Sequence, residues 1–123
     1  MTESSLYSRL GGYDAVSAVA DNLLPRLMDD EQLGRFWQHR GTDGIQREKQ
    51  LLIDFLCHSA GGPVYYTGRS MVASHRGMQI SEADWTRFIQ HLCATLDHFE
   101  LPDAERSEVL AFIESTKTEI VEA

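Results

Sequence analysis

GGPVYYTGRSMVASHRGMQI, at positions 61–80, is the stretch of sequence that decides the fold. Two adjacent glycines, a proline and a third glycine exclude a continuing helix and predict a looped crossing. Ser70 is a good N-cap for a short helix after the loop. In that helix Met71 and His75 are four residues apart and share one face, and Arg76-Gly77 predicts its end. The stretch therefore presents one imidazole beside apolar residues.

His75 has two interpretations. A histidine with apolar neighbours is usually a packed residue whose ring nitrogens are satisfied within the protein. A short helix with one histidine, hung on a glycine loop between two long helices, is also what a haem protein needs. In such a protein one axial imidazole reaches the iron while apolar side chains cover the porphyrin face. The second interpretation makes His75 an iron ligand.

Apolar residues recur at three- and four-residue steps on both sides of this stretch, which predicts helices. The alternation typical of strands does not occur in the sequence, so the expected fold class is all-α. At 123 residues the chain is expected to form a single domain over 1–123. The predicted elements are a short helix ended by Gly11-Gly12, helices at about 14–28, 44–60, 82–99 and 103–121, and a short turn at 32–37.

Helix ends and one interruption are also predicted. Ser4 or Ser5 caps the first helix, and Asp43 with Gln46 resembles a capping box for the helix at 44–60. Ser81 and Asp84 form a second such box at the next long helix. Pro25 lies inside the helix at 14–28, where it should kink that helix or begin a new turn.

Composition excludes several classes of function. Nineteen acidic against eleven basic residues, a formal charge of −8, argue against nucleic-acid partners and against an anionic membrane surface. Cys57 and Cys93 lack the spacing of a metal site and are expected to be reduced thiols. The sequence has neither a signal peptide nor an apolar run of membrane length, so we expect a cytoplasmic protein. No nucleophile, base and orienting acid can be placed together, which argues against a hydrolase.

Five segments, in a fixed order between about Leu6 and Leu96, carry a resemblance to a known family. They are LYSRLGG at 6–12, Phe36-Trp37, GGP at 61–63, YTGRSM at 66–71, and Ser74-His75 through Ile80. The order of these segments resembles the truncated haemoglobins, small bacterial and algal globins, and most closely their first group. The resemblance implies a truncated globin fold, a helix-on-helix sandwich with a shortened first helix, that binds haem b.

The resemblance also implies a proximal side. His75 matches the proximal iron ligand, and its other ring nitrogen should donate to a backbone carbonyl of the same short helix. The residues expected to pack on this side of the haem are Met71, Ile80, Trp85 and Phe88. Tyr66 and Arg69 lie near the expected propionates, although a solvated loop arginine is the alternative for Arg69.

The distal side departs from the family pattern. Many members carry a distal tyrosine that donates to the bound oxygen, and counting from Gly11-Gly12 brings that position to Leu24. Counting back from Gly61-Gly62 turns Glu48, Leu52, Phe55 and Leu56 toward the haem. Counting forward from Phe36-Trp37 instead offers Gln46 and Gln50, but it also turns Asp54 toward the porphyrin, so the first count is preferred. The predicted distal pocket contains Leu24, Phe36, Trp37, Leu52, Phe55 and Leu56.

The distal hydrogen-bond donor or sixth ligand stays open at this stage. The candidates are Gln50, Glu48, Trp37 and His39, although an exposed loop histidine is the usual case for a residue placed like His39. The other histidines, His58, His91 and His98, have no counterparts among the family's ligands.

Two classes of function follow. The first is a haem protein that binds small diatomic ligands, for oxygen binding or transport or for nitric oxide detoxification. Ligand sensing, nitric oxide dioxygenase and peroxidase-like activity are alternatives within this class, with a reductase as a partner and a monomer or weak dimer as the assembly. The second class is a helical interaction module without a cofactor, in which His75 is a packed core residue.

Overall fold

The computed structural model describes residues 5–38, 41–63, 66, 68, 70–71 and 75–122. Within these ranges the regular structure is helical and contains no strand, which confirms the all-α prediction. The helices are α1 (Leu6–Leu10), α2 (Tyr13–Asp29), a 3-10 segment (Leu33–Trp37), α3 (Thr42–Ser59), α4 (Glu82–His98), α5 (Asp103–Glu114) and α6 (Lys117–Ile120).

Helix α1 joins the start of the chain to the glycine loop. The Ser5 hydroxyl accepts the Ser8 N–H at 3.1 Å, and Gly11 ends the helix with a φ of 114°, as predicted. The Tyr7 N–H donates to the Ala60 carbonyl at 2.9 Å. A Cβ on Gly62 would lie 2.6 Å from the Tyr7 ring, so the loop needs glycine there.

One prediction about a helix end is wrong, and one of the two alternatives for Pro25 is excluded. Helix α3 begins at Thr42 after an N-cap at Gly41 that makes no side-chain hydrogen bond. Asp43 therefore lies in the first turn, where its carboxylate faces the positive end of the helix dipole, and the box with Gln46 does not form. Helix α2 is continuous through Pro25, which excludes the new turn and leaves the kink as the prediction for this position. Pro25 is exposed, which allows water to satisfy the carbonyl that proline leaves without a donor.

The single C-terminal helix predicted to run to about Val121 is divided into α5 and α6. The Ser115 hydroxyl donates to the Phe112 carbonyl at 2.5 Å, and the Thr116 hydroxyl donates to the Ile113 carbonyl at 2.6 Å. These hydroxyls compete with the backbone N–H groups for helix carbonyls, which explains the break between the two helices.

The core lies where α2 packs against α3, α4 and the 3-10 segment, with α5 closing one end. Its buried members recur at the three- and four-residue steps of a helix, as the sequence predicts. They include Val16, Leu23, Leu27, Ile53, Leu56, Leu92, Leu96, Val109 and Ile113. Both cysteines are free thiols, Cys57 buried and Cys93 half-buried. Among the helices described above, none is long and apolar enough to cross a membrane.

Asp84 ties the start of α4 to the 3-10 segment. The predicted capping box is confirmed, because Asp84 N–H donates to the Ser81 hydroxyl at 3.1 Å and Ser81 N–H donates to the Asp84 carboxylate at 2.9 Å. The same carboxylate, only 1 % exposed, accepts from Arg35 Nη2 at 2.7 Å. The Arg35 guanidinium holds the pKa of Asp84 well below its usual range.

Asp30 makes a second link between the 3-10 segment and α4. Its carboxylate accepts the backbone N–H groups of Gln32 and Leu33 at 2.7 and 3.0 Å. From α4, Arg87 Nε donates at 3.0 Å and His91 Nε2 lies 2.6 Å away. The hydrogen bond with His91, followed by those from the backbone, lowers the pKa of Asp30. The two buried carboxylates therefore fix the segment that carries Phe36 and Trp37.

Asp84→Asn tests the first of these links. Because the pKa of Asp84 is lowered in the folded state, its pairing stabilises the fold above the carboxyl's unfolded pKa of about 3.9. That stabilisation is lost as the pH falls through the lower, folded value. We expect the variant to melt about 5 °C below wild type at pH 7 and to show a flatter decline of Tm below about pH 5.

Asp97→Asn is the matched control, because Asp97 pairs with Arg106 but its side chain is 62 % exposed. An exposed pair contributes little, so its Tm should stay within about 2 °C of wild type across the same range. Equal, small effects of both substitutions, with the acid decline unchanged in Asp84→Asn, would contradict the role given to Asp84.

Candidate functional site

His75 is held by the residue one helical turn before it. Met71 and His75 are both helical, and His75 Nδ1 lies 2.9 Å from the Met71 carbonyl oxygen. A carbonyl only accepts, so Nδ1 carries the proton and donates, and in the neutral ring the lone pair is on Nε2. The hydrogen bond predicted for the second ring nitrogen is thereby confirmed, and it selects the tautomer in which Nε2 can bind a metal.

Apolar residues follow His75 in sequence. Ile80 and Trp85 are buried, and the Trp85 and Phe88 ring centroids are 5.4 Å apart on the first two turns of α4. Phe88 also lines a cavity of about 40 Å³ whose walls are entirely apolar. Helix α3 contributes Leu52 and Leu56 to the same cavity. Helices α2 and α5 line the same cavity, which thus brings together three of the residues predicted from sequence.

The two ways of counting along α3 differ in which side chains they turn toward the interior of the protein. Gln50 is exposed, and its Nε2 donates to the Tyr13 hydroxyl at 2.8 Å and to the Asp54 carboxylate at 3.0 Å. Gln46 is exposed as well, whereas Leu52 is half-buried and Leu56 is buried. These positions support the count that turns Leu52 and Leu56 inward. Asp54, the reason for rejecting the other count, is paired with Gln50.

Leu24 lies on a different cavity from Leu52 and Leu56. It is 5 % exposed and lines a cleft between α2 and the first half of α3. The cleft also contains Gln46, and the Asp21–Lys49 ion pair, 2.8 Å long, lies among its lining residues. The Leu24 side chain is thus buried beside α3, and it has no atom that can donate a hydrogen bond.

Phe36 and Trp37 form an aromatic pair at the end of the 3-10 segment. Their ring centroids are 6.3 Å apart in an edge-to-face arrangement, and the Arg35 guanidinium lies 4.2 Å from the Phe36 centroid. Arg35 is the residue that Asp84 holds. A series of contacts therefore connects the N-terminus of α4 to the aromatic pair, from Asp84 through Arg35 to Phe36 and Trp37.

The loop residues predicted near the propionates are only partly described. Tyr66 is half-buried and packs edge-to-face on Phe55, with ring centroids 5.5 Å apart. Arg69, the second predicted residue there, and His39, a candidate sixth ligand, lie outside the described residues.

The donor set fits a haem better than a metal ion bound by side chains alone. No group of three or more His, Cys, Asp or Glu side chains within the described ranges could hold a metal ion. A single imidazole beside apolar walls suits an iron whose other ligands come from a porphyrin. Two buried indole nitrogens, Nε1 of Trp37 and of Trp85, find no hydrogen-bond partner in the part of the chain described here. An unsatisfied buried donor costs about 1–3 kcal/mol, so both fit a site that gains a polar group on binding.

Comparison with known proteins decides the family. The model of the bacterial-like globin family matches residues 5–122. A group 1 truncated haemoglobin of Mycolicibacterium paratuberculosis is 33% identical over 117 residues, which cover 95% of this chain and 84% of the relative. The chain belongs to the truncated haemoglobin family. A second group 1 relative, from Tetrahymena pyriformis, is 31% identical to this truncated haemoglobin, covering 95% of this chain and 94% of the relative.

Solved structures agree with this assignment. The crystal structure of the Tetrahymena pyriformis truncated haemoglobin in its Fe(III) form superposes with a TM-score of 0.87 at 28% identity, over 98% of this chain and 100% of that one. A 2/2 haemoglobin from Synechococcus sp., in the cyanomet state with covalently attached haem, superposes with a TM-score of 0.84 at 25% identity, over 94% and 95% of the two chains. Membership of the family implies haem iron and the binding of small diatomic ligands at that iron.

Several contacts around the site were not predicted from the sequence. Asp30 and Asp84 act through partners 49 to 61 positions away, and Glu122 contacts Gly77 from 45 positions away. The cap at Ser81 and the acidic cluster before the 3-10 segment indicate that these carboxylates lie at helix termini. Neither signal indicates which distant side chain pairs with them.

Proposed function

We propose that this truncated haemoglobin holds one haem b through Nε2 of His75 and binds oxygen reversibly. The observation that carries the proposal is the hydrogen bond from His75 Nδ1 to the Met71 carbonyl, because it selects the tautomer in which Nε2 is the metal-binding atom. When bound, the haem supplies an iron centre for a diatomic ligand. The protein supplies the axial imidazole, the apolar enclosure and the orientation.

The enclosure is built from two sets of residues. Met71, Ile80, Trp85 and Phe88 are proposed for the side of His75, and Leu24, Phe36, Trp37, Leu52, Phe55 and Leu56 for the opposite side. Leu52, Leu56 and Phe88 support this placement because they already line one apolar cavity. Apolar walls exclude water from the ligand and favour a neutral diatomic molecule over an ionic one.

The assembly and setting are part of the proposal. We propose one domain over residues 1–123, which the family match over 5–122 supports. Two free thiols are typical of a reducing compartment, which supports the cytoplasm. A reductase partner that returns iron to the ferrous state, and a monomer or weak dimer, complete the proposal. Nitric oxide detoxification uses the same iron site and the same reductase, and it is the second role we propose.

His75→Ala tests the ligand directly. A single imidazole is the protein's only proposed bond to the iron, so its removal should release the haem. The variant, loaded with haem and passed through a desalting column, is expected to lose most of its Soret absorbance, whereas wild type keeps it. His98→Ala is the control, because His98 is exposed at the end of α4 and its ring packs on Phe99. An unchanged ferrous spectrum in His75→Ala would refute the assignment.

Leu24→Tyr tests the distal side. Leucine cannot donate, so oxygen held in the pocket gains no hydrogen bond from this position, whereas a tyrosine hydroxyl that reached it would add one. Such a bond contributes on the order of 1.5–3 kcal/mol when charge-assisted, or roughly ten- to a hundredfold in an equilibrium constant. We expect slower oxygen release by about that factor and little change in carbon monoxide release, measured by stopped flow and flash photolysis.

Leu24→Phe is the control, since it adds a ring of similar size without the hydroxyl. Slow oxygen release by wild type that Leu24→Tyr leaves unchanged would mean that another group already donates. Trp37→Phe, which removes a buried indole N–H, would then identify or exclude the nearest candidate. Gln50, exposed and bonded to Tyr13, should show no effect when substituted.

A further inference from the structure

The backbone just after His75 adopts a conformation that needs support. Gly77 has a φ of 83° and Gln79 a φ of 56°. Glycine adopts positive φ without cost, but a residue with a side chain pays about 1–2 kcal/mol in the left-handed region. Such a residue persists only when the surrounding structure holds it. Gln79 is exposed, so its side chain is not what holds the turn.

Glu122, beyond the end of α6, holds this turn by three hydrogen bonds. Its Oε2 accepts the Gly77 N–H at 3.0 Å and its Oε1 accepts the Gln79 N–H at 2.8 Å. Its own backbone N–H donates to the Ile80 carbonyl at 2.9 Å. The two bonds from Gly77 and Gln79 lower the pKa of Glu122, so the carboxylate is charged at neutral pH and the bonds are charge-assisted.

Helix α6 places Glu122 at this point. Lys117 Nζ lies 2.8 Å from a Glu82 carboxylate oxygen in the first turn of α4. Ile120 and Val121 are half-buried against the core, and Val121 is extended, with φ of −75° and ψ of 127°. The segment 117–122 is therefore anchored at Glu82 and by apolar packing before Glu122 reaches the turn.

The turn is connected directly to His75. The Met78 N–H donates to the His75 carbonyl at 3.2 Å, and Met78 lies between the two residues that Glu122 holds. On the other side, the Met71 carbonyl accepts from the His75 ring. The Met71 carbonyl thus fixes the His75 ring, and the turn fixes the His75 backbone through its carbonyl.

We propose that Glu122 is a positioning residue for His75, which sets the orientation of the imidazole toward the haem by clamping the backbone at Gly77 and Gln79. This inference rests on the proposed function, in which His75 is the iron ligand. Loss of the carboxylate frees two backbone N–H groups and lets the strained turn relax. The His75 backbone then shifts, and the bond from the imidazole to the iron weakens.

Glu122→Ala and Glu122→Gln test this role, and Glu119→Ala is the matched control. Glu119 lies in α6 and is exposed. The first measurement, amide hydrogen exchange at Gly77 and Gln79 in the haem-free protein, reports the clamp without the cofactor. Exchange is expected to be about tenfold faster in Glu122→Ala, since each charge-assisted bond contributes enough for roughly that factor. Glu122→Gln retains one acceptor, so its exchange rate should lie between those of wild type and Glu122→Ala. The exchange rate of Glu119→Ala should match that of wild type.

The second measurement reports the imidazole itself. We expect haem transfer to excess apomyoglobin to be three- to tenfold faster in Glu122→Ala, and the iron–histidine stretching band of the ferrous protein to move to lower frequency. Should Glu122→Ala fail to fold, Glu122→Gln carries the same test. Faster exchange with an unmoved stretching band and unchanged haem loss would overturn the positioning role.

Failure of the proposed function gives a different result. If His75 is not the ligand, the stretching band is absent from wild type or survives in His75→Ala, whatever the Glu122 variants do. If His75 is the ligand and only the positioning role is wrong, the band is present in wild type, lost in His75→Ala and identical in Glu122→Ala.

Discussion

The hydrogen bond from His75 Nδ1 to the Met71 carbonyl determines which form of imidazole the site presents. It joins two residues that are four positions apart, so it depends on local backbone geometry alone. After α3, Gly62 meets Tyr7 of α1 so closely that no side chain fits. Local geometry on a short element therefore selects the metal-binding tautomer before any cofactor is present.

The aromatic pair Phe36–Trp37, proposed for the side of the haem opposite His75, is positioned by buried charges. Asp84 forms an ion pair with Arg35, and the Arg35 guanidinium lies over the Phe36 ring. The ion pair therefore helps to fix the position of that ring. Asp30 fixes the other end of the same 3-10 segment through Arg87 and His91 of α4. Short segments make few apolar contacts of their own, and hydrogen-bonded carboxylates give them one defined position. Glu122 plays the corresponding part on the side of His75.

Local signals predicted what depends on neighbours in sequence. The cap at Ser5, the end at Gly11, the box at Ser81 and the carbonyl acceptor of His75 all involve residues at most four positions apart, and the structure contains each of them. The start of α3 was misplaced because Asp43 suits the first turn as well as it suits a cap.

The division between α5 and α6 was missed because the hydroxyls of Ser115 and Thr116 are tolerated in helices when they face solvent. The pairs of Asp30, Asp84 and Glu122 were also missed, since spacing within a helix says nothing of a partner more than forty positions away. Leu24 shows the same limit. Counting along the sequence gives its place in the distal pattern, but it does not show which cavity its side chain lines.

The central claim, that His75 binds the haem iron, is tested most directly by replacing its side chain with free imidazole. His75→Gly removes the side chain and leaves space where free imidazole can bind the iron. The ferrous variant should lack the spectrum of wild type, and added imidazole should restore that spectrum together with haem retention on a desalting column. A histidine-ligated spectrum in His75→Gly without imidazole, unchanged when imidazole is added, would show that another residue binds the iron.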